Sequence, residues 1–230
     1  MKILLVPGSG AGGNLWQYQT RFFAEAEGIS LPGHPDGTPK NSIPEYVEWL
    51  HGYILEQGYK DIILGGHSLG GGIAQLYALT YPRDLKGLML IGTGARLRVL
   101  PDTLSTLRNL IGNESAWREF IEAAPQPTDP ILRSIREMRH KIGPAVMLSD
   151  LLCCDKFDIM GRVHEIKLPT LIVVGTQDVS TPVKYSQYLQ NKIDGSKLVI
   201  IQGATHNIMI DKPDELNRAI SEFLKSAALT

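Results

Sequence analysis

Gly66-His67-Ser68-Leu69-Gly70 sets a hydroxyl between paired glycines. The apolar run 61–65 precedes it, and 71–78 follows with helical character. A strand, a sharp turn and a helix hold such a serine at the tip, with its hydroxyl exposed. The turn drives Ser68 toward positive φ. Residues two positions either side then approach so closely that only glycine fits, which accounts for Gly66 and Gly70. A serine hydroxyl is a poor nucleophile at neutral pH, so it needs a base beside it. That base needs a carboxylate to orient it, and a developing oxyanion needs aimed amides.

The elements that must position these groups alternate between strand and helix. Strands are expected at 2–6, 27–31, 61–65, 85–91, 170–174 and 197–201. Helices are expected at 14–26, from Ser42 to about residue 57, from 69 to about 81, from 182 to about 191 and from 213 to about 226. Trp16, Phe22 and Phe23 read as core contacts of the first helix. Ser42 reads as an N-cap, with Glu45 three residues on as its capping-box partner and Pro44 in the first turn. The run 85–91 is almost wholly apolar, as a central parallel strand covered on both faces must be.

Between residues 94 and 167 the rhythm changes. Helix-like pieces are broken by Pro101, Gly112, Pro125, Pro127, Pro130, Gly143 and Pro144. Ile131, Ile135, Met138 and Ile142 share one helical face, with Arg133, Arg136 and Arg139 elsewhere, where a solvated face is expected for them. The expected organisation is an α/β core of residues 1–93 and 168–230, with a helical cap of residues 94–167 inserted after the fourth strand. The alternation implies a mainly parallel six-stranded sheet with right-handed crossovers and helices on both faces.

In such sheets ligands bind at the carboxyl ends of the strands. That edge sorts the candidates. Of the six histidines, His51 and His140 fall inside helices, His164 precedes the fifth strand, and His67 is expected to turn away from the neighbouring hydroxyl. His34 and His206 both follow strands at the right edge. Asp178 lies just beyond the fifth strand, whereas Gly92-Thr93-Gly94, after the fourth, has no carboxylate. Asp155, Asp158, Asp194 and Asp211 fall in the cap, before a strand or at a helix start. The loop 7–13 after the first strand is glycine-rich with free amides. It lacks the Lys-Ser/Thr of a phosphate-binding loop, so an oxyanion-binding role suits it better.

The chain has 230 residues, 43% of them hydrophobic and 20% charged, with a formal net charge of -1. No general field recruits nucleic acid or an anionic membrane. The N-terminal apolar run is too short for a signal peptide, and no run approaches membrane-spanning length. The only cysteines, Cys153 and Cys154, are adjacent and read as small core residues. No metal-ligand spacing occurs. The expectation is a cytoplasmic protein, a monomer or homodimer, without metal or organic cofactor and without nucleic-acid or membrane partners.

Taken in order, Pro7-Gly8-Ser9-Gly10, Gly33-His34, Gly66-His67-Ser68-Leu69-Gly70-Gly71, Gly175-Thr176-Gln177-Asp178 and Gly203-Ala204-Thr205-His206 resemble the α/β-hydrolase superfamily. The resemblance covers nearly the whole chain outside the cap. It implies the order serine, acid, histidine, which selects His206 over His34 and puts Ser68, Asp178 and His206 in the triad positions. Ser9 and Leu69 match the residues whose backbone amides form the oxyanion hole. The family often has His-Gly where this chain has Pro7-Gly8. The chain also begins at the strand that carries the oxyanion loop, without the two usual N-terminal strands, and so resembles compact serine carboxylesterases. The implied activity is hydrolysis of small, mostly uncharged carboxylic esters. Enol-lactonase, C–C bond hydrolase and thioesterase chemistry use the same triad. A receptor-like binding protein with slow turnover is the alternative of another class.

Overall fold

The computed structural model describes residues 1–123 and 126–227. Its strands are β1 (Lys2–Val6), β2 (Ala26–Gly28), β3 (Ile62–His67), β4 (Leu85–Ile91), β5 (Thr170–Gly175) and β6 (Lys197–Ile201). They form one sheet in the order β2-β1-β3-β4-β5-β6, and every pairing is parallel. Alternate side chains feed two cores, as the two-residue repeat of a strand requires. Leu4, Val6, Ile62, Leu64, Leu88 and Leu90 enter one. Ile3, Leu5, Ile63, Met89 and Ile91 enter the other.

Helices cover both faces. Over the first core lie α2 (Ile43–Glu56) and α3 (Leu69–Thr80), through Tyr46, Leu50, Ile73 and Tyr77. Over the second lies α1 (Gln17–Phe22), flanked by the buried Trp16 and Phe23. The cap expectation concerns α4 (Pro101–Leu110), α5 (Glu114–Glu122) and α6 (Pro130–Lys156). After β5 come α7 (Val183–Lys192), α8 (Ile208–Asp211) and α9 (Pro213–Ser226).

The start of α2 follows its sequence. Ser42 Oγ accepts from Glu45 N at 3.3 Å, and the Glu45 carboxylate takes the Ser42 hydroxyl at 3.0 Å and Asn41 N at 3.3 Å. Those bonds occupy donors that the first turn leaves without intrahelical partners.

Around β2 the structure differs from the expected 14–26 helix and 27–31 strand. Gly13–Trp16 is a 3-10 turn, α1 is only six residues long, and β2 lies at Ala26–Gly28. A Cβ on Gly28 would sit 2.2 Å from the Gly13 carbonyl oxygen. The turn is therefore pressed onto the strand there, and Gly13 N donates to Ser30 Oγ at 3.0 Å. Of the two phenylalanines expected in the core, Phe23 is buried but Phe22 is 61% exposed.

Among the described residues, 94–167 contributes no strand beyond an isolated Arg96–Asp158 bridge. Leu104, Leu107, Trp117 and Leu148 make a third cluster. Ile131 and Ile135 join the second sheet core, and Cys153, Cys154 and Phe157 join the first. The segment is thus anchored on both sides of the sheet. Asp129 caps α6 by accepting from Ile131 N at 2.6 Å, and Gly143, at φ 79°, breaks its helical dihedrals ahead of Pro144. Pro125, expected as a further break, lies outside the described residues. No helix among the described residues is long and apolar enough to cross a membrane.

Candidate active site

The strand order reverses between β1 and β3, and the loops leaving their carboxyl ends meet there. Such a switch point is where open parallel sheets place ligands. At the end of β3, Ser68 stands at φ 53° and ψ -115°, outside the ordinary helical and extended regions. A Cβ on Gly66 would lie 2.1 Å from the Gly70 carbonyl oxygen, and one on Gly70 would lie 2.4 Å from that of Val6. Both glycines are therefore required by backbone contact. The strained turn is held in place: Ser68 N donates to Ile91 O at 3.2 Å, and Ser68 O accepts from Thr93 Oγ1 at 2.9 Å and Gly72 N at 3.1 Å.

Behind the elbow is the histidine–carboxylate pair. His206 Nδ1 lies 2.9 Å from Asp178 Oδ2. Asp178 has no side-chain exposure, while His206 keeps 21%. The same carboxylate accepts from Ser180 N at 2.9 Å, Thr181 N at 2.8 Å and Thr181 Oγ1 at 2.7 Å. Burial pushes its pKa upward, but the bonds from His206 and Thr181 outweigh that and hold it below the ordinary aspartate value. A carboxylate accepts here, so Nδ1 carries the proton and Nε2 is left as the acceptor.

Ser68 and His206 line a cavity of about 570 Å³, together with Gly8, Ser9 and His67. The 94–167 segment supplies further walls, Leu97, Val99, Leu100, Met147 and Leu151 among them. The backbone N–H groups of Ser9 and Leu69 donate to no acceptor among the described residues. The next amide in the loop, Gly10 N, is already committed to Asp150 Oδ2 at 2.9 Å.

Residues 3–219 match the sequence profile of the alpha/beta hydrolase family. The chain is an alpha/beta hydrolase. A putative esterase/lipase 2 of Mycoplasma genitalium is 26% identical to it over 206 residues, 85% of this hydrolase and 77% of that protein. The human monoacylglycerol lipase ABHD6 is 23% identical over 97% of the hydrolase and 75% of its own length. Among solved structures, a thermophilic esterase superposes with a TM-score of 0.79 at 33% identity, covering 98% of the hydrolase and 90% of the esterase. An enol-lactonase from Burkholderia xenovorans LB400 shares the fold at a TM-score of 0.83 and 20% identity, over 97% and 90% of the two chains. The fold and the relatives make this a hydrolase of ester type.

The hydrolase fold brings Ser68, His206, Asp178, Ser9 and Leu69 to one sheet edge. His67 stays at the site beside His206. Its ring lines the cavity 4.5 Å from the His206 ring, and its Nε2–H donates to the His206 carbonyl at 3.0 Å. Burial holds its pKa well below the ordinary value, reinforced by repulsion from His206, so the ring is neutral. A Cβ on Gly8 would reach within 2.7 Å of His67 Nδ1, which explains the glycine there.

His34, the other histidine at this edge, does not line the cavity. Its Nε2 lies 2.8 Å from Asp150 Oδ2, and both side chains are fully buried. Asp150 escaped sequence reasoning altogether. The same carboxylate takes Tyr46 Oη at 3.1 Å as well as Gly10 N. The available signal was a lone acid within the apolar stretch Met147 to Cys154; aspartate is almost never fully buried unless it is paired.

Arg139, expected on a solvated face, lines the cavity. Cys154 lines it too, with its thiol 3.7 Å from Ser9 Oγ. Burial pushes that thiol up to about 12, which removes it as a competing nucleophile. Among the described residues no group of His, Cys, Asp and Glu could hold a metal ion.

Proposed function

We propose that this alpha/beta hydrolase cleaves carboxylic esters through an acyl-enzyme on Ser68. The observation that carries the reading is the buried Asp178 carboxylate on Nδ1 of a histidine that shares one cavity with the strained Ser68. His206 Nε2 takes the Ser68 proton as Oγ attacks the ester carbonyl. The carbonyl π pair moves onto oxygen, where the unengaged amides of Ser9 and Leu69 receive it. Collapse expels the alcohol, which leaves with the proton from His206. Water then gives its proton to His206 and attacks the acyl carbon, and Ser68 departs with the proton returned. Asp178 holds the ring in the tautomer that each transfer needs and stabilises its charged form. General base catalysis accounts for roughly 10²–10⁴-fold, and each oxyanion donor for about 10²–10³-fold.

The helices of 94–167 act as a cap that bounds the substrate. A cavity of about 570 Å³ suits a small ester. Its apolar walls from that segment grip carbon rather than a polar polymer.

Intact-mass labelling with a fluorophosphonate, followed by peptide mapping, tests the nucleophile. One adduct on Ser68 is expected, with fluoride released as Oγ bonds to phosphorus. The Ser68→Ala variant should fold, refuse the label and lose on the order of 10⁶ in kcat. Adduct elsewhere on folded protein overturns the assignment. Turnover number on the same ester separates an enzyme from a slow receptor: many cycles per protein are expected, not one.

A further inference from the structure

Charge of one sign lines the cavity above Ser68. Arg98, Arg139 and Lys184 contribute to it, and among the described residues no aspartate or glutamate does. This is not general basicity, because the whole chain carries a formal net charge of -1. The nearby carboxylate of Asp178 is spent on His206, Ser180 and Thr181.

The three cations are not equivalent. Arg98 and Lys184 are exposed, and Arg98 donates to the Asp155 carbonyl at 2.5 Å. Arg139 is partly buried on α6, and its Nε is shut off from solvent with no hydrogen-bond partner among the described residues. No acid of the described chain pairs with it. Burial draws its guanidinium below the ordinary value, and no carboxylate opposes that. An arginine serving only as packing covers apolar surface with its stem and keeps its charged head in water. Here the inner nitrogen has left the water without a replacement acceptor, and that is costly for a group that stays charged. A cation kept in a binding cavity without a counter-ion is completed by an anion that arrives with the ligand. The planar fork of a guanidinium matches a carboxylate in two parallel bonds.

We propose that Arg139 is the anion receptor of the cavity, and that the substrates are small esters carrying a second, free carboxylate. The proposal rests on the serine-esterase reading and names its substrate class. It replaces the expectation of uncharged substrates, which depended on the α6 arginines facing solvent. Arg133 does face solvent, but Arg139 does not share its environment. The cavity volume limits such a substrate to a short dicarboxylic monoester or an ester of a small carboxylated alcohol or phenol.

The test measures kcat/KM on two matched pairs, at low and high salt, with the uncatalysed rate subtracted. In the acyl pair, p-nitrophenyl hemiglutarate is set against p-nitrophenyl pentanoate. In the leaving-group pair, 4-acetoxybenzoate is set against 4-acetoxybenzamide. The wild type should prefer the charged member of at least one pair by about 10- to 100-fold, as a charge-assisted bidentate contact supplies. Arg139→Gln should abolish that preference, Arg139→Lys should keep part of it, and Arg133→Gln, on the same helix, should leave it unchanged. The readout is a ratio of two substrates on one enzyme sample, so a partly unfolded variant still reports. If Ser68 takes the fluorophosphonate and the neutral esters turn over, but charged and neutral members are equivalent, the anion receptor is overturned and the serine esterase stands. A charged-substrate preference that survives in Arg139→Gln also removes Arg139 from the role. Folded protein that neither labels at Ser68 nor turns over any ester overturns both readings together.

Discussion

Two histidine–aspartate pairs stand within the same fold, and they put one chemistry to different uses. His206 Nδ1 meets Asp178 at 2.9 Å, and His34 Nε2 meets Asp150 at 2.8 Å. Distance does not separate them; access does. His206 keeps 21% of its side chain open and lines the cavity, whereas His34 is fully closed and directs its other nitrogen to the Pro32 carbonyl at 3.2 Å. A histidine with one nitrogen held and the other open can carry protons. A histidine with both nitrogens held can only hold other groups in place. The Asp150 carboxylate also receives Gly10 N and Tyr46 Oη, so the second pair ties the glycine-rich loop to α2 and α6. One pair is proposed to run the reaction; the other fixes the loop that presents the Ser9 amide.

The comparison can be broken most sharply at Asp178. Asp178→Asn preserves the shape but favours the wrong His206 tautomer, so kcat should fall by about 10⁴. The melting temperature should move far less than the activity. A variant with near-normal kcat means that another carboxylate orients His206.

Asp150 should show the reverse balance. Asp150→Ala leaves His34, Tyr46 Oη and Gly10 N without their buried acceptor, a change that costs about 3–5 kcal/mol of stability. Chemical denaturation should report a lower midpoint. Residual activity of the folded fraction should fall mainly through loss of oxyanion stabilisation. If Asp150→Ala keeps its midpoint and loses only kcat, the two pairs are not distinct in kind.

The smallest effect is in pH dependence, and its sign differs between the pairs. Burial lowers the His34 pKa, but the Asp150 hydrogen bond and charge outweigh it, and the folded value lies above 6.5. The stability that this pair contributes is complete below the unfolded histidine value and is lost as pH rises through the folded one. Asp178 has a lowered folded value, so its contribution is complete above the unfolded aspartate value of 3.8 and is lost as pH falls through the folded one. Thermal melts of wild type and His34→Gln across neutral to alkaline pH should converge as pH rises. Asp178→Asn should converge with wild type only in acid. Parallel curves for His34→Gln would show that the His34 pair is not titrating in this range.

Much of this protein was legible because its signals are local. The Ser68 elbow announces itself through two glycines that backbone contact makes obligatory, and the alternation of strands and helices is written in hydrophobic periodicity. Asp178 and His206 could be placed by rank along a sheet edge, since every parallel strand delivers its following loop to the same side. Around β2 the same reasoning misplaced the boundaries. There Gly13 against Gly28 decides where a short edge strand runs, and that contact joins segments fifteen residues apart.

What the tertiary structure alone decided is which charged side chains are withdrawn from water, and with whom. Nothing local distinguishes Arg139 from Arg133, or marks Asp150 as the acceptor for a histidine 116 residues away. Both residues sit on α6, whose face toward the sheet depends on how the whole segment settles across two cores and one cavity. Backbone strain and hydrophobic period are properties of neighbouring residues, so a sequence carries them openly. The cost of burying a charge depends on every group around it, so it exists only once the chain has folded.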